Sequence, residues 1–455
     1  MGSALEQQTH ASRARYYRCE LIPLWIWPAV LASGALAVRL WCFTGLIASD
    51  DVVYAHYAHA LATRHYALEA NHMAIRFGLL LPMAGTYALL GMSEATTAIF
   101  PLLASVSGVV LVFFIARRQF GITAGVIAGL LIASFPLTIR YASILVPETI
   151  AELYILTAIW LYLRARDSGE VLVGVFAGVS LGVAYLTREL SLFIVFAIVI
   201  DAAWQRRWRL LFAVAAGSFT IGLGEHLYYW LSAGDFWFRL HAMGEHNQRA
   251  TAYLFRDLPG WRFFRALPHM MLIPSLNFGL HSLAGLALAT ASCFVFRWRE
   301  FALFVLWALI PLLYLNFGTT SFKTYIAMSV GDRYLELIYP PLFILSGALL
   351  ALVLNKKQGD IAVPAVVALL ILSGVICSYV TRGSGWRTAH VSRLRSIAKA
   401  VENQGGGIVS FEGPSAWAWS DDIEVIDSSI KSSRSEPRFV LRPDSDGLPI
   451  CVAAP

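Results

Sequence analysis

The chain has 455 residues and a net charge of +6; 58% of its residues are hydrophobic and 14% are charged. A soluble domain carries about 25% charged residues, so this chain has too little polar surface to face water on all sides. Its apolar residues form many runs of roughly the length that a bilayer requires. The composition therefore predicts an all-α polytopic membrane protein, and nothing in it is typical of a protein that binds nucleic acid.

Eleven apolar runs are read as membrane spans. They cover residues 21–43, 95–116, 121–139, 148–163, 171–187, 190–203, 210–231, 271–296, 301–316, 333–354 and 361–380. Arginines in the N-terminal tail and basic clusters at 116–118, 164–166, 205–209, 297–299 and 355–357 mark one side, because short loops rich in Lys and Arg stay in the cytoplasm. With all six clusters inside, the N-terminus is cytoplasmic and the C-terminus is outside. We therefore predict about 11 spans, within a range of 10 to 13.

A twelfth apolar run, RFGLLLPMAGTYALLGM at 76–92, is short and contains Pro82 and three glycines. Counting it as a crossing would invert the side of every later basic cluster. We therefore predict that it lies in or dips into the outer leaflet, within a first outer loop at 44–94 that contains interfacial helices. An ordinary short span, compensated by an error elsewhere, is the alternative.

These assignments divide the chain into three regions. Residues 1–20 are predicted to form a cytoplasmic tail, 21–380 a transmembrane domain, and 381–455 a C-terminal domain on the outer face. The last region contains three consecutive glycines at 405–407 and short alternating stretches such as IVSFEG and FVLRP. Alternation of this kind favours strands, so we predict a small α/β or β-rich extramembrane domain.

Two adjacent carboxylates, Asp50 and Asp51, follow the first predicted span directly, in ASDDVVYAHYA. Like-charge coupling raises the pKa of one member of such a pair, which is useful in a general base or a cation ligand. A solvated helix terminus would explain either carboxylate alone. The tyrosines and histidines that follow, beginning with Tyr54, predict an amphipathic helix along the membrane surface.

Other ionisable residues fall on the predicted outer side. His72 and Arg76 are four residues apart and would share a helix face; they suit a phosphate group, although Arg76 could instead snorkel to the lipid surface. Glu148 follows a proline at the start of a helix, so it is either a cap or a site residue. Arg333 and Tyr334 lie at the outer start of a span, where Arg333 either clamps a phosphate or anchors the helix.

In this order, the features resemble the C-superfamily integral-membrane glycosyltransferases, and within them the protein-mannosyltransferase-like and aminoarabinose-transferase-like branch. The acidic motif SDDVVYAHYA follows the first span, an interfacial stretch ends in LLG, and ARRQFG leads into the next span. PLTIRYASILVPETIAELYILTAIWLYLRAR then holds a second outer-loop acid, and GDRYLELIYPPLFILSG resembles a late RY-L-PP-L segment. The resemblance covers about 45–165 and, less completely, 331–348.

The resemblance implies an enzyme that takes a sugar from a polyprenyl-phosphate carrier and passes it to a lipid, glycan or protein acceptor. We expect it among the lipids of the bacterial inner (plasma) membrane, acting at the outer face. Asp50 is implied as the principal catalytic carboxylate, because Tyr54 follows it at the D-x-x-x-Y spacing, with Asp51 as the adjacent acid and Glu148 as the second acid. The residues expected to contact the lipid phosphate or sugar are Tyr54, His72, Arg76, Arg333 and Tyr334.

The chain departs from the family at two points. Its second acid is Glu148 where related enzymes have Asp, and His72-Met-Ala-Ile-Arg76 replaces the usual Glu-Lys-Pro or His-Pro-Pro. The five cysteines are scattered, and neither a CxxC nor an HExxH pattern is present. The metal ligands are therefore unknown: the sequence predicts no definite cofactor and leaves a divalent cation open.

Two other classes of protein remain as alternatives. A multi-span transporter or flippase for a lipid or an anion would show inverted repeats with broken helices, and the sequence has no such symmetry. A non-enzymatic assembly partner would use the outer tail for interaction.

Overall fold

The computed structural model describes residue 23 and residues 25–244, 271–272, 275–319, 331–356, 361–382 and 386–403, together with four strands in the tail. The predicted cytoplasmic tail, 1–20, lies outside the described residues. The three domain boundaries remain predictions.

Helices dominate the described residues. They are α1 (Ile26–Trp41), α2 (Asp50–Ala62), α3 (Phe77–Leu90), α4 (Glu94–Phe120), α5 (Ile122–Ala133), α6 (Pro136–Tyr141), α7 (Pro147–Ser168), α8 (Val171–Thr187), α9 (Leu192–Trp204), α10 (Trp208–Ala233), α11 (His281–Val295), α12 (Trp298–Phe317), α13 (Tyr339–Asn355), α14 (Ala362–Thr381) and α15 (Trp386–Asn403). Short 3₁₀ helices at Glu189–Ser191 and Asp332–Leu337 precede α9 and α13.

Among the described residues, four helices are long and apolar enough to cross a membrane by themselves: α4, α10, α12 and α14. Six shorter apolar helices accompany them: α1, α3, α5, α8, α11 and α13. A polytopic helical membrane protein is therefore confirmed as the class of fold. The count of about eleven spans, and the prediction that α3 does not cross, remain predictions.

Proline and glycine set the helix boundaries that matter for the outer face. The predicted span at 121–139 is divided, because Phe135 is extended (ψ 121°) before Pro136 starts α6, as expected for a residue that precedes proline. Pro147 occupies the first position of α7, and Gly169, in the left-handed conformation, ends that helix. This start places Glu148 in the first turn of α7.

Close helix packing fixes the centre of the bundle. α8 lies against both α7 and α10, and Gly178 of α8 allows the closest approach. A Cβ atom at Gly178 would lie 2.1 Å from the carbonyl oxygen of Val214 in α10. Small residues permit such contacts between membrane helices, so α8 and α10 are held close together.

The tail contributes a helix and a sheet. α15 buries Val391 and Leu394, and Val391 joins an apolar cluster formed with the first outer loop, including Leu46 and Val52. The four strands are β1 (Ile408–Phe411), β2 (Lys431–Ser432), β3 (Phe439–Pro443) and β4 (Pro449–Ala453). Their order is β2-β1-β3-β4; β1 is parallel to β2 and β3, and β4 is antiparallel to β3. That the tail forms a separate outer-face domain remains a prediction.

Candidate active site

Asp50, the first residue of α2, meets Arg333 from a distant part of the chain. Asp50 Oδ2 lies 2.8 Å from Arg333 Nη2, and Arg333 belongs to the 3₁₀ helix before α13. The Asp50 side chain is 28% exposed and that of Arg333 is 24% exposed. The pair is therefore sheltered and still reachable by a ligand.

The charges around Asp50 keep it ionised. Burial alone would raise the pKa of its carboxyl, but the Arg333 guanidinium, followed by Arg76 and His72, outweighs burial and lowers that pKa below the ordinary 3.8. Nearby cations govern the titration of Asp50, and the like-charge coupling between Asp50 and Asp51 remains a prediction. At neutral pH Asp50 is a carboxylate that can accept a proton.

Asp51 is turned away from this pair. It is fully buried, and its two carboxylate oxygens accept hydrogen bonds of 2.7 Å from the backbone N–H groups of Ile47 and Ser49. Ala48, between them, has a left-handed φ of 51°. Asp51 thus holds the turn that positions Asp50, and a catalytic role for Asp51 remains a prediction.

Glu148 links Arg333 to a second arginine. Its side chain is 0% exposed, and Oε1 lies 3.7 Å from Arg333 Nε and 3.3 Å from Arg188 Nε. Within the described part of the chain, neither of its carboxylate oxygens has a hydrogen-bond partner. Buried carboxylates are normally hydrogen-bonded, so Glu148 retains unused acceptor capacity. We call Asp50, Arg333, Glu148 and Arg188 the Asp50 cluster.

Arg188 is the member of this cluster that sequence reasoning missed. Its neighbour Glu189 makes it look like half of a local pair at a turn, but Arg188 pairs with Glu148 instead. Its guanidinium also lies 4.3 Å from the ring centroid of Tyr334, which brings that predicted residue to the site. The sequence did contain one indication of this role: the topology predicted from the basic clusters places Arg188 on the outer side.

His72, Arg76 and Tyr54 complete the wall beside Asp50. Arg76 is 2% exposed, and its guanidinium carbon lies 5.7 Å from the Tyr54 ring centroid. The prediction that His72 and Arg76 share a helix face is wrong, because residues 72–75 form a turn and Arg76 precedes α3. Both residues nevertheless act electrostatically on Asp50.

A second group of ion pairs, which we call the Arg239 cluster, lies close by. Arg239 is 1% exposed and donates to Glu225 through Nε (3.0 Å) and Nη2 (2.7 Å), and to Glu189 through Nη1 (2.7 Å). Its Nη2 also reaches the carbonyl oxygens of Ile75 (2.9 Å) and Leu186 (3.3 Å). Glu189 extends this cluster to Arg76 at 3.8 Å.

The residues present do not form a metal site in the described ranges. No group of three or more His, Cys, Asp or Glu side chains is placed there to hold a metal ion. In the Asp50 cluster, the positive charge next to the carboxylates comes from Arg188 and Arg333. We therefore derive no step through a metal, and the divalent cation left open by the sequence remains untested.

Comparisons with known proteins agree on the fold. A family model described as dolichyl-phosphate-mannose-protein mannosyltransferase matches residues 78–223. ArnT from Cupriavidus metallidurans, bound to undecaprenyl phosphate, is similar with a TM-score of 0.65 and 14% identity, over 92% of this chain and 93% of that chain. In its apo state the TM-score is 0.57, with 16% identity over 89% and 74% of the two chains.

A more distant similarity extends to an archaeal enzyme. The oligosaccharyltransferase of Archaeoglobus fulgidus, in complex with zinc and sulfate, has a TM-score of 0.56 and 14% identity, over 89% of this chain and 62% of that chain. No curated protein sequence matches this chain. The chain thus shares the fold of these solved enzymes, and its residues 78–223 match a mannosyltransferase family model, which together confirm the predicted resemblance and the predicted class of enzyme, a glycosyltransferase.

Proposed function

We propose that this chain transfers a sugar from a polyprenyl-phosphate-linked donor to a lipid, glycan or protein acceptor at the outer face of the membrane, with Asp50 as general base. The observation that carries the proposal is the Asp50 cluster, in which residues from four separate parts of the chain meet at 2.8, 3.7 and 3.3 Å. Undecaprenyl phosphate bound to the similar ArnT structure supports this class of donor.

The chemistry requires one proton acceptor and one site for negative charge. The acceptor oxygen attacks the anomeric carbon, the bond from that carbon to the phosphate oxygen breaks, and the lipid phosphate leaves with the electron pair. Asp50 takes the acceptor proton, a role worth about 10²–10⁴-fold in rate. The guanidinium groups of Arg333 and Arg188 stabilise the charge that grows on the phosphate.

Arg333 couples these two roles. While it is paired with Asp50 it lowers the pKa of that carboxyl and so weakens the base. A donor phosphate, which a guanidinium fork binds well, would compete for Arg333 and release Asp50. The base would therefore gain strength when the donor is in place.

Glu148 and the two tyrosines act on orientation. Glu148 holds Arg188 and Arg333 on the same carboxylate oxygen, and its unused acceptor capacity suits a hydroxyl of the sugar or acceptor. Tyr334 lies under Arg188, and Tyr54 is buried beneath Arg76. These rings exclude water from one side of the charged groups, which strengthens their interactions.

The decisive test compares the full wild-type chain with its Asp50→Asn variant, each reconstituted with a panel of undecaprenyl-phosphate-linked sugars as donors. A native lipid and glycan extract supplies the acceptors. Binding of undecaprenyl phosphate alone is measured separately. We expect sugar transfer to fall by about 10²–10⁴-fold, while binding of undecaprenyl phosphate is retained. Asp167→Asn, at the other end of α7, is the matched control and should retain activity. Wild-type transfer by Asp50→Asn would overturn the assignment of the base, and lipid translocation without a glycosylated product would favour the flippase alternative.

Membrane orientation can be tested separately. The proposal places the first outer loop and the C-terminal tail outside the bacterial inner membrane and the N-terminus in the cytoplasm. An impermeant thiol reagent applied to intact cells should label Ala67→Cys, which is exposed in the first outer loop, and spare Ser168→Cys, which is exposed at the far end of α7. The reverse labelling would contradict this orientation.

A further inference from the structure

A cleft of about 480 Å³ lies at the helix ends that are farthest from Asp50. It is bordered by the turn between α7 and α8 and by the turn between α9 and α10. α7 runs from Pro147, next to Glu148, to this cleft over 22 residues, or about 33 Å at 1.5 Å per residue. That length matches a hydrocarbon core of about 30 Å, so the cleft opens on the opposite face of the membrane.

Arginines dominate the lining of the cleft. Arg166 forms a buried floor, held by Gln119 at 2.9 Å and by Asp201 at 3.5 Å. The exposed arginines around it are Arg206, Arg207 and Arg209.

The positive charge of the cleft is not balanced. Over the residues that the structure describes, no carboxylate lies within ion-pair distance of Arg206, Arg207 or Arg209, and Glu170 is the single acidic residue in the lining. Uncompensated guanidinium groups that converge on one cleft favour a phosphate, which they bind in forked geometry.

Tryptophans place the cleft at the level of the lipid headgroups. Trp208 lines it and is 54% exposed, and Trp204 and Trp298 nearby are 65% and 45% exposed. The rings of Trp204 and Trp298 meet edge to face with centroids 6.5 Å apart. Exposed tryptophans prefer the membrane–water interface, so a ligand can enter from the lipid as well as from water.

We propose that this cleft binds the phosphate headgroup of an anionic phospholipid from the leaflet opposite the active site. Its volume lies within the range of about 300–1,000 Å³ that small-ligand sites occupy. Val171, 49% exposed at the rim, offers an apolar surface to the acyl chains. The bound lipid bridges the two turns and so ties together the helices whose other ends carry Glu148 and Arg188.

The test is a titration of the full chain in detergent with short-chain phosphatidylglycerol or phosphatidylcholine, followed by native mass spectrometry. We expect phosphatidylglycerol to bind at least about tenfold more tightly, and Arg207→Gln/Arg209→Gln to weaken its binding by about thirtyfold. The matched control is Arg297→Gln/Arg299→Gln, which removes two exposed charges at the start of α12 that do not line the cleft, and it should leave the affinity unchanged.

Inorganic phosphate tests whether the cleft binds the phosphate of a lipid or a soluble phosphate ion. We expect it to displace phosphatidylglycerol, and to raise the melting temperature of the wild-type protein less than the lipid does. An equal rise with phosphate alone would identify a soluble anion as the occupant and overturn the lipid assignment. If the two lipids bind equally, or if both double variants lose the same amount of affinity, the arginines of the cleft act only as general signals for membrane topology. Either result would also overturn the proposal.

Discussion

The Asp50 cluster and the Arg239 cluster are both built from arginine and carboxylate, yet they differ in how completely their polar atoms are used. Arg239 is 1% exposed and directs its nitrogens to two glutamates and two backbone carbonyls. In the Asp50 cluster, Asp50 and Arg333 are about a quarter exposed, and Glu148 accepts no hydrogen bond from the described residues. A fully satisfied polar network rigidifies a fold, whereas an incompletely satisfied one at an opening is ready for a ligand.

The largest effect should come from breaking the contacts of Arg239, whose guanidinium nitrogens all have partners. Arg239→Gln leaves Glu225 buried without its cation, which costs about 3–5 kcal/mol when one partner of a buried pair is removed. We expect a large fall in melting temperature and in the yield of folded protein in detergent. Arg299→Gln, at an exposed arginine in the first turn of α12, is the control and should change neither; equal stability of the two variants would contradict the structural role of Arg239.

The same substitution in the other cluster should separate activity from stability. Arg333→Gln removes the proposed phosphate-binding group, and we expect sugar transfer to fall by about 10²–10³-fold, as when one donor to a transition-state oxyanion is lost. The melting temperature should change much less than in Arg239→Gln. Arg333→Lys, which keeps the positive charge but lacks the forked guanidinium, should recover part of the rate. If Arg333→Gln instead unfolds while its remaining folded fraction keeps full specific activity, this role of Arg333 would be refuted.

A smaller effect should follow from pH. Burial would raise the pKa of Glu189, but the charges of Arg76, Arg239 and Arg188 outweigh it and lower that pKa from 4.5 to about 2. Because the folded-state pKa is lowered, the stabilisation is complete above pH 4.5 and is lost as the pH falls toward 2. The difference in melting temperature between wild type and Glu189→Gln should be constant from pH 7 to 5 and shrink below 4.5; a difference that grows on acidification would contradict the charge assignment.

The smallest effect concerns the support of Asp50 from the tail. Arg395 Nε in α15 donates to Glu94 Oε2 at 2.7 Å, and Glu94 Oε1 accepts the backbone N–H of Leu46, just before the Asp50 turn. We expect Arg395→Gln to lower kcat about fivefold, since a hydrogen bond to a partly exposed charged group contributes about 1 kcal/mol, with little change in KM for the donor. Arg395→Lys should restore most of the rate, and Lys399→Gln, exposed on the same helix, should match wild type.

The sequence could predict that Asp50, Glu148 and Arg333 lie near one another, but not how their side chains are paired. Basic loops and apolar runs placed Asp50, Glu148 and Arg333 on one side of the membrane, and the structure brings these three together. Arg188 escaped because an arginine beside a glutamate reads as a local pair, whereas its partner Glu148 is 40 residues away in the chain. Local patterns carry no information on such long-range choices.

Side-chain direction was equally hidden. Asp50 and Asp51 are equivalent in the sequence, but the helix start turns Asp51 toward the backbone of Ile47 and Ser49 and leaves Asp50 facing Arg333. Helix ends were predictable where proline marks them, as at Pro147. The predicted span at 271–296 was less accurate, because α11 starts at His281.

The contact between α15 and the first outer loop has a consequence for biogenesis. Arg395 and Glu94 are 301 residues apart in the chain, so the ribosome has completed most of the protein before the Asp50 turn receives this support. A nascent chain released after α14 would insert its helices into the bilayer yet hold Asp50 in a loop that lacks this support. Such a truncated chain should therefore lose more activity than Arg395→Gln, because it also lacks the apolar contact that Val391 makes with this loop.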